Sequence, residues 1–344
     1  MKRHLNTLYI TTPKTYLHRE NEKIVIEVGN QKKAKIPVIG LQSVVCIGHD
    51  IMMSPSCMNL CCESKVSVVF LKMSYRLIGR VVGPQTGNIL LRREQYRQTE
   101  DISKRLDIAK LIIGAKIRNS RTVLQRFCRN NPGYEFNHEI EVAIRKLMIS
   151  MKKAESAGTE DALRGIEGEA SKIYFNNFNH MILKNKTEFT FESRNRRPPV
   201  DPLNALLSFI YVVLYHDIVS ALESVGLDPS AGFFHRDRPG RHSLALDIME
   251  EFRSCLADRF VLTFINLNRA GKNDFKKTES GAVEMKEELI KNVIHAYEEK
   301  KREIITHPFL QEKTYIGLLP YIQAQLMSRY LRGDIDIYPP FVMR

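Results

Sequence analysis

The 344-residue chain carries two hydrophobic periods and changes from one to the other once. From Leu5 to about Arg80, short alternating and β-branched runs are broken at Asn21-Glu22, Gly29-Asn30, Gly40 and Gly48. The pattern predicts strands over Leu5–Thr11, Thr15–Arg19, Lys23–Val28, Ala34–Val38, Ser43–Ile47, Val66–Leu71 and Tyr75–Val81. One short helix near Ser56–Glu63 lies among them. A small β-sandwich or β-roll fits this series. At Val82-Gly83-Pro84-Gln85-Thr86-Gly87-Asn88 the composition shifts. The glycines there lack a following Lys-Ser/Thr pair, so the segment reads as a linker and not as a phosphate-binding loop.

Beyond the linker the period becomes helical. Helices are predicted through 88–130 and over Glu139–Glu155, Glu160–Lys184, Pro202–Val225, Ser243–Asn268, Val283–Lys301 and Tyr315–Arg332. The fold class expected is α+β: a β-rich domain over 1–82, a linker over 83–90 and an all-α domain over 91–344. The longest apolar stretch, Ala205 to Tyr215, is broken by Ser208. It falls short of the roughly 20 residues that cross a bilayer, so no membrane partner is expected. The opening Met1-Lys2-Arg3-His4 carries no secretory signal, so the six cysteines are expected to be reduced and the protein cytoplasmic. Cys57, Cys61 and Cys62 cluster but lack a second paired ligand set, and burial in the short helix accounts for them.

Charge adds a partner to this picture. The chain has 52 Lys+Arg against 39 Asp+Glu, a formal +13. Residues 88–130 hold eleven basic side chains and four acids, so over half of the excess lies in 43 residues. Ile108, Leu111, Ile112, Ala115, Val123 and Phe127 form the apolar side of that helix, leaving Arg118, Arg121, Arg126 and Arg129 to face outward. A one-signed face of this kind suits a polyanion such as DNA. The segment Glu192-Ser193-Arg194-Asn195-Arg196-Arg197-Pro198-Pro199 is a basic, proline-stiffened loop, either a DNA-contacting arm or a plain connection.

Candidate chemistry concentrates in 232–253. His235 opens a loop containing Arg236, Arg238 and Arg241, and after Pro239-Gly240 the serine at 243 is placed to cap a helix. Leu244, Ile248, Phe252, Leu256 and Phe260 give that helix an apolar stripe, with Asp247, Glu250, Glu251 and Asp258 on its polar side. Asp247 and Glu250 stand at i and i+3, so their carboxylates share a direction. Carboxylates, an imidazole and a collar of guanidinium groups suit divalent-metal phosphodiester chemistry. A second patch, Arg164 to Phe175, places Gly165 and Gly168 around Glu167. A glycine inside a helix costs about 1 kcal/mol relative to alanine, so close approach of another helix or of DNA backbone is expected there. His138-Glu139 resembles the start of a zinc-protease motif, but Val142 stands where its second histidine is needed.

Four ordered motifs then resemble a known family: Glu167-Gly168-x-Ala170 with Tyr174-Phe175; Pro198-Pro199-x-Asp201-Pro202-x-Asn204-Ala205-Leu206-Leu207-Ser208-Phe209; Gly226-Leu227-Asp228-Pro229-x-x-Gly232-Phe233-x-His235; and Ser243-Leu244-Ala245-Leu246-Asp247-x-x-Glu250-Glu251-Phe252-Arg253. Together with Lys116-Ile117-Arg118-Asn119-Ser120-Arg121 they are similar to the CRISPR-associated integrase, the metal-dependent adaptation family that inserts new spacers. Phe234 to Arg241 leans toward its type I-C subset. The resemblance implies a metal triad of Glu167, His235 and Glu250, with Asp247 as an assisting acid. Family members carry Asp or Glu at the third position; Ser171 and Phe234 are mild departures that touch packing. Oxygen-rich ligation with one imidazole suits Mg2+ or Mn2+. DNA contacts are expected from Arg118, Arg121, Arg194, Arg196, Arg197, Arg236, Arg238 and Arg241. Tyr174 fits either the core or a hydroxyl near the metal. Also implied are homodimerisation through the β domain, a small second adaptation protein bridging two dimers, and a DNA 3′-OH as nucleophile. Two other readings stand beside this one: a structure-specific repair nuclease using water, and a non-catalytic architectural DNA-binding protein.

Overall fold

The computed structural model describes residues 6–343 except 49, 74–76, 84–88, 196–197 and 280. The start of the strand expected at Tyr75 and the centre of the expected linker lie outside the described residues. Two compact units emerge, one formed by 1–86, 287–303 and 315–318, the other by 87–286, 304–314 and 319–344.

The first unit begins with β1 (Asn6–Ile10), β2 (Thr15–Glu20), β3 (Lys23–Val28), β4 (Gln31–Pro37), β5 (Leu41–Ile47) and the short β6 (Ile51–Met53). α1 (Pro55–Glu63), β7 (Ser67–Leu71) and β8 (Leu77–Val81) follow. Among the described residues these strands form two four-stranded sheets, ordered β1-β5-β7-β8 and β4-β3-β2-β6. β5 runs parallel to both neighbours and is buried from Gln42 to Ile47, in keeping with the apolar run of residues 44–47. β2 alternates instead, with Thr15 and Leu17 inward and Tyr16 outward. Ser54 caps α1 by accepting from the Cys57 amide at 3.2 Å, and Pro55 occupies the first turn. Cys57 and Cys61 are buried beside Leu17, Ile24, Val44 and Val68, so these two are core residues of this unit, whereas Cys62 is half-buried. β6 escapes the sequence pattern because three residues show no period.

The second unit contains α2 (Ile89–Glu100), α3 (Ile102–Asn130), α4 (Asn137–Glu155), α5 (Glu160–Asn176), α6 (Pro202–Ser224), α7 (Ser243–Phe252) and α8 (Arg259–Asn266). Asp101 caps α3 through the amides of Ser103 and Lys104, Thr159 caps α5, and Asp201 caps α6 ahead of Pro202. α6 is buried on nearly every side as a core helix, mostly apolar but with Asn204, His216 and Asp217 also inside. By length and composition it could cross a membrane, yet 78% of its 18-residue apolar window is buried inside the fold. The expected helix over 160–184 ends at Asn176. The one expected over 243–268 is divided by a π-helical turn, Arg253–Asp258.

Val283 to Met285, expected as helix, instead forms β10, paired antiparallel with β9 (Phe275–Lys277). The chain then supplies α9 (Glu287–Lys301) to the first unit, where Lys301 donates to Thr7 at 3.3 Å and the Tyr9 hydroxyl to Glu298 at 3.4 Å. This return takes residues 287–303 into the β-rich unit, whereas the sequence pattern groups them with the helices. The hairpin of β11 (Ile304–Thr306) and β12 (Lys313–Tyr315), a short turn over Ile316–Leu318, and α10 (Leu319–Leu331) lead to a tail without regular structure.

Candidate metal centre

The helix expected to have an apolar stripe and a polar side is buried on both. Leu244, Ile248 and Phe252 are in the core, and so are Asp247, Glu250, Glu251 and Asp258. Buried carboxylates are costly unless each has partners, and each of these does. The partners decide which acid can do what.

Asp247 is fully committed to the loop before it. Its Oδ2 accepts from the backbone amides of Phe233 (2.6 Å) and Phe234 (3.0 Å). Its Oδ1 accepts from the amide and from Nδ1 of His235, at 2.9 and 2.7 Å. A carboxylate only accepts, so the proton of a neutral His235 belongs on Nδ1, and Nε2 carries the free lone pair. Gly232 permits this wrapping: a Cβ there would lie 2.7 Å from Ser243 and 2.8 Å from Asp247 Oδ2. Ser243 is the first helical residue and not the cap; the Pro229 carbonyl accepts from the amides of Leu244 and Ala245. The Ser243 hydroxyl donates to the Arg236 carbonyl instead.

Glu250 faces the other way. His235 Nε2 lies 3.9 Å from its Oε1, Lys116 Nζ 2.7 Å from its Oε2, and Arg253 Nη1 3.0 Å from Oε1. Burial alone would push the Glu250 carboxyl up, but Arg253, Lys116 and His235 outweigh it and hold the group at about 2. Glu167, from α5, meets the same ammonium: Lys116 Nζ hydrogen-bonds its Oε1, which also accepts from Ser171 at 2.8 Å. Glu167 and Glu250 thus converge on one cationic point, with His235 Nε2 beside Glu250.

Among the described residues no three His, Cys, Asp or Glu side chains are grouped closely enough to hold an ion as they stand. The donor chemistry nonetheless fits a divalent cation. Two carboxylates already share a positive charge, and the neighbouring imidazole is fixed by an outer carboxylate, as metal-ligating histidines usually are.

Lys116, Arg253 and Asn119 fall inside the motif segments, but the resemblance gives them no role, and the structure places them against these carboxylates or the backbone beside them. Lys116 and Asn119 fall in register with Ile112 and Val123 on the buried side of α3, and polar residues inside an apolar stripe are the signal that marks them. Asn119 Nδ2 donates to the Glu251 carbonyl at 2.7 Å and to the Phe341 carbonyl at 2.9 Å. Its Oδ1 accepts from Met343 N at 2.8 Å. Glu251 completes the tie to the tail, accepting from Tyr338 Oη (2.6 Å), Gln323 Nε2 (2.8 Å) and Phe341 N (2.7 Å). Burial pushes its carboxyl up to about 8 against these donors. Tyr174 is a core residue, 2% exposed, in the same region as Tyr211 and Asp258.

The expected DNA contacts fall into separate groups. Arg118, Arg121, Arg126 and Arg129 line a cleft of about 460 Å³ closed by Pro308, Val342 and Met343. Helical geometry puts Arg118, Arg121 and Arg129 on the side of α3 opposite Lys116. Arg236 and Arg238 are exposed at the loop tip, where Arg236 pairs with Asp161 at 2.9 Å, and Arg241 is half-buried. Arg194 is pinned inward by Asn204 (2.6 Å) and Ser208 (3.0 Å), and its guanidinium lies over the Tyr211 ring at 5.1 Å. Arg196 and Arg197 lie outside the described residues. Gly165 and Gly168 are exposed, with no other part of the described chain within 4 Å of a Cβ at either, so no helix packs there.

Residues 8–299 match the family described as CRISPR associated protein Cas1. The chain belongs to the Cas1 family. A Chlorobaculum tepidum protein named CRISPR-associated endonuclease Cas1 1 is 46% identical over 344 residues, covering all of both chains. The Rhodospirillum rubrum CRISPR-associated endonuclease Cas1 2 is 44% identical over 346 residues, covering 99% of each. In fold, the chain resembles a casposase bound to integration product (TM-score 0.83, 22% identity, 96% and 92% coverage). It also resembles a Cas1 protein from Thermotoga maritima (TM-score 0.81, 22% identity, 98% and 100% coverage). The β-rich unit followed by helices is the Cas1 architecture, and the chain is a CRISPR-associated DNA nuclease or integrase by family.

Proposed function

We propose that this Cas1 protein joins captured DNA to the repeats of a CRISPR array by divalent-metal-dependent strand transfer. The observation that supports it best is the meeting of Glu167 and Glu250 on one cationic point beside His235 Nε2. These residues would hold Mn2+ or Mg2+, which would supply Lewis-acid polarisation of the scissile phosphate. Asp247 keeps the imidazole lone pair turned to the site, and Arg253 keeps Glu250 ionised. In the exchange, a DNA 3′-oxygen forms a new bond to phosphorus while the bond from phosphorus to the departing 3′-oxygen breaks. The attacking hydroxyl gives up its proton and the departing oxygen takes one up, so no external reductant or oxidant is needed.

The exposed glycine face beside Glu167, the arginines at 236, 238 and 241, and the arginine cleft on α3 are the surfaces offered to DNA. A solved Cas6-RT-Cas1–Cas2 complex contains a chain of similar fold (TM-score 0.83, 22% identity), which supports Cas2 as the small partner. Homodimerisation through the β-rich unit and a cytoplasmic setting complete the reading. Hydrolysis at the same centre is the second reading, favoured by the endonuclease names of the relatives. The test uses purified protein, Mn2+ or Mg2+, a short duplex with free 3′-OH ends and a repeat-bearing supercoiled plasmid, with and without the partner. Joined products lost in His235→Ala and with chelator carry the proposal; cleavage without joining in the partner's presence transfers it to the nuclease.

A further inference from the structure

Lys116 is the one side chain that touches both Glu167 and Glu250 among the contacts described, and it is nearly buried, with 10% of its side chain exposed. Taken with Arg253, the cluster holds two carboxylates and two cations, so it is already electrically balanced. A divalent cation added to that set would place surplus positive charge in a buried site, which is unfavourable until one resident cation leaves. Arg253 is the poorer candidate to leave: its guanidinium also lies over the Tyr211 ring at 4.9 Å, and it is anchored in the π-helical turn. Lys116 sits on a flexible four-carbon stem, and its described partners are those two carboxylates.

We propose that Lys116 is an internal counter-ion that competes with the divalent cation for Glu167 and Glu250, and that a DNA phosphate relieves the competition by taking the lysine. The proposal rests on the metal centre read above. A released ammonium needs an anion, and the phosphodiester is the anion that reaction brings to the site. DNA and metal would then raise each other's affinity through one shared side chain, a coupling that must be reciprocal. Loading of the centre would thereby be confined to the DNA-bound protein. Lys116 is a positioning residue in this scheme, acting through the carboxylates and the phosphate's placement.

The experiment measures Mn2+ binding by electron paramagnetic resonance and by calorimetry, with and without a short duplex carrying blocked 3′ ends, on full-length wild type, Lys116→Met, Lys116→Gln and Glu250→Gln. Glu250→Gln with the same duplex supplies the background of Mn2+ held by DNA alone. DNA is expected to tighten Mn2+ binding to wild type by about 5–150-fold, the usual span of allosteric coupling. Lys116→Met and Lys116→Gln are expected to bind Mn2+ more tightly than wild type without DNA, and to lose most of the gain from DNA. Wild-type binding that is indifferent to DNA overturns the proposal by itself, even if neither lysine variant folds. Equal or weaker Mn2+ binding by folded lysine variants overturns it also. Absence of site-specific Mn2+ binding to wild type under every condition removes the metal centre instead, a different result from losing the lysine's role.

Discussion

His235 Nδ1 and Asp247 Oδ1 lie 2.7 Å apart, and the same carboxylate takes the backbone amides of residues 233, 234 and 235. One acid thus shapes the loop and turns the imidazole. Asp247 acts from behind the histidine rather than as a ligand beside Glu250. Asp247→Asn puts an amide nitrogen among donors and frees the ring to take the other tautomer. On the metal centre proposed above, metal affinity and strand transfer are expected to fall about 10–100-fold, the range for outer partners of ligating histidines. Mn2+ titration together with the melting temperature checks this; unchanged affinity in a folded variant refutes the assignment.

Glu251 makes stability depend on pH in a direction opposite to most acids. Its folded carboxyl stands at about 8, against about 4.3 in an unfolded chain. The folded state therefore holds the proton more tightly, and ionisation above pH 4.3 favours unfolding progressively until pH 8. Stability is expected to drop across that window with a slope of at most about 1.4 kcal/mol per pH unit from this group. Glu250 runs the other way: held at about 2, it adds stability above pH 4.3 that is lost as the pH falls toward 2. Glu251→Gln should flatten the melting-temperature profile between pH 5 and 8; an unaltered slope there counts against the assignment.

Gly165 and Gly168 separate stability from activity. Alanine meets nothing within 4 Å at either position and removes a helix penalty. Each substitution is expected to stabilise the fold by roughly 0.5–1 kcal/mol. If DNA backbone uses that face, Gly168→Leu will fold normally yet lose at least tenfold in strand transfer, measured beside thermal denaturation. Full activity in Gly168→Leu would place the DNA elsewhere.

The tail is part of the core. Phe341 is 4% exposed and its ring centroid stands 5.3 Å from that of Phe252, two residues beyond Glu250 on α7. Phe341→Ala is expected to cost about 3–5 kcal/mol in denaturant unfolding, the usual range for a buried aromatic.

Arg118→Ala and Arg121→Ala should weaken DNA binding evenly across sequences. Each lost phosphate contact lowers the salt slope by about 1, read from affinity at several salt concentrations. An unchanged slope would leave the cleft without a DNA role.

The β unit was legible because alternation survives in β2, because β-branched residues fill β3, and because Gly and Asn mark their turns. Residue type and spacing point to His235 and Glu250, and motif similarity adds Glu167, but neither shows what these side chains touch. Two things hid from the sequence for physical reasons. Acids at 247, 250, 251 and 258 read only as the polar side of a helix, because residue type reports polarity and not the donors that make burial tolerable. The backbone amides that fill Asp247, and the tail groups at 338 and 341 that fill Glu251, come from segments with no period of their own. Motif similarity includes Lys116 without giving it a role, although its register with Ile112 and Val123 sets it apart from Arg118 and Arg121.

The return of α9 to the β-rich unit bears on how the protein can be dissected. Neither half of the gene encodes a whole folding unit: a recombinant fragment ending near residue 86 would lack the helix whose Lys301 and Glu298 meet Thr7 and Tyr9. A fragment beginning there would carry that helix as an amphipathic passenger, with Leu289, Ile290, Val293 and Tyr297 deprived of their cover. Bisection of this chain would yield two sticky polypeptides, so a working split version would have to exchange segments rather than separate them.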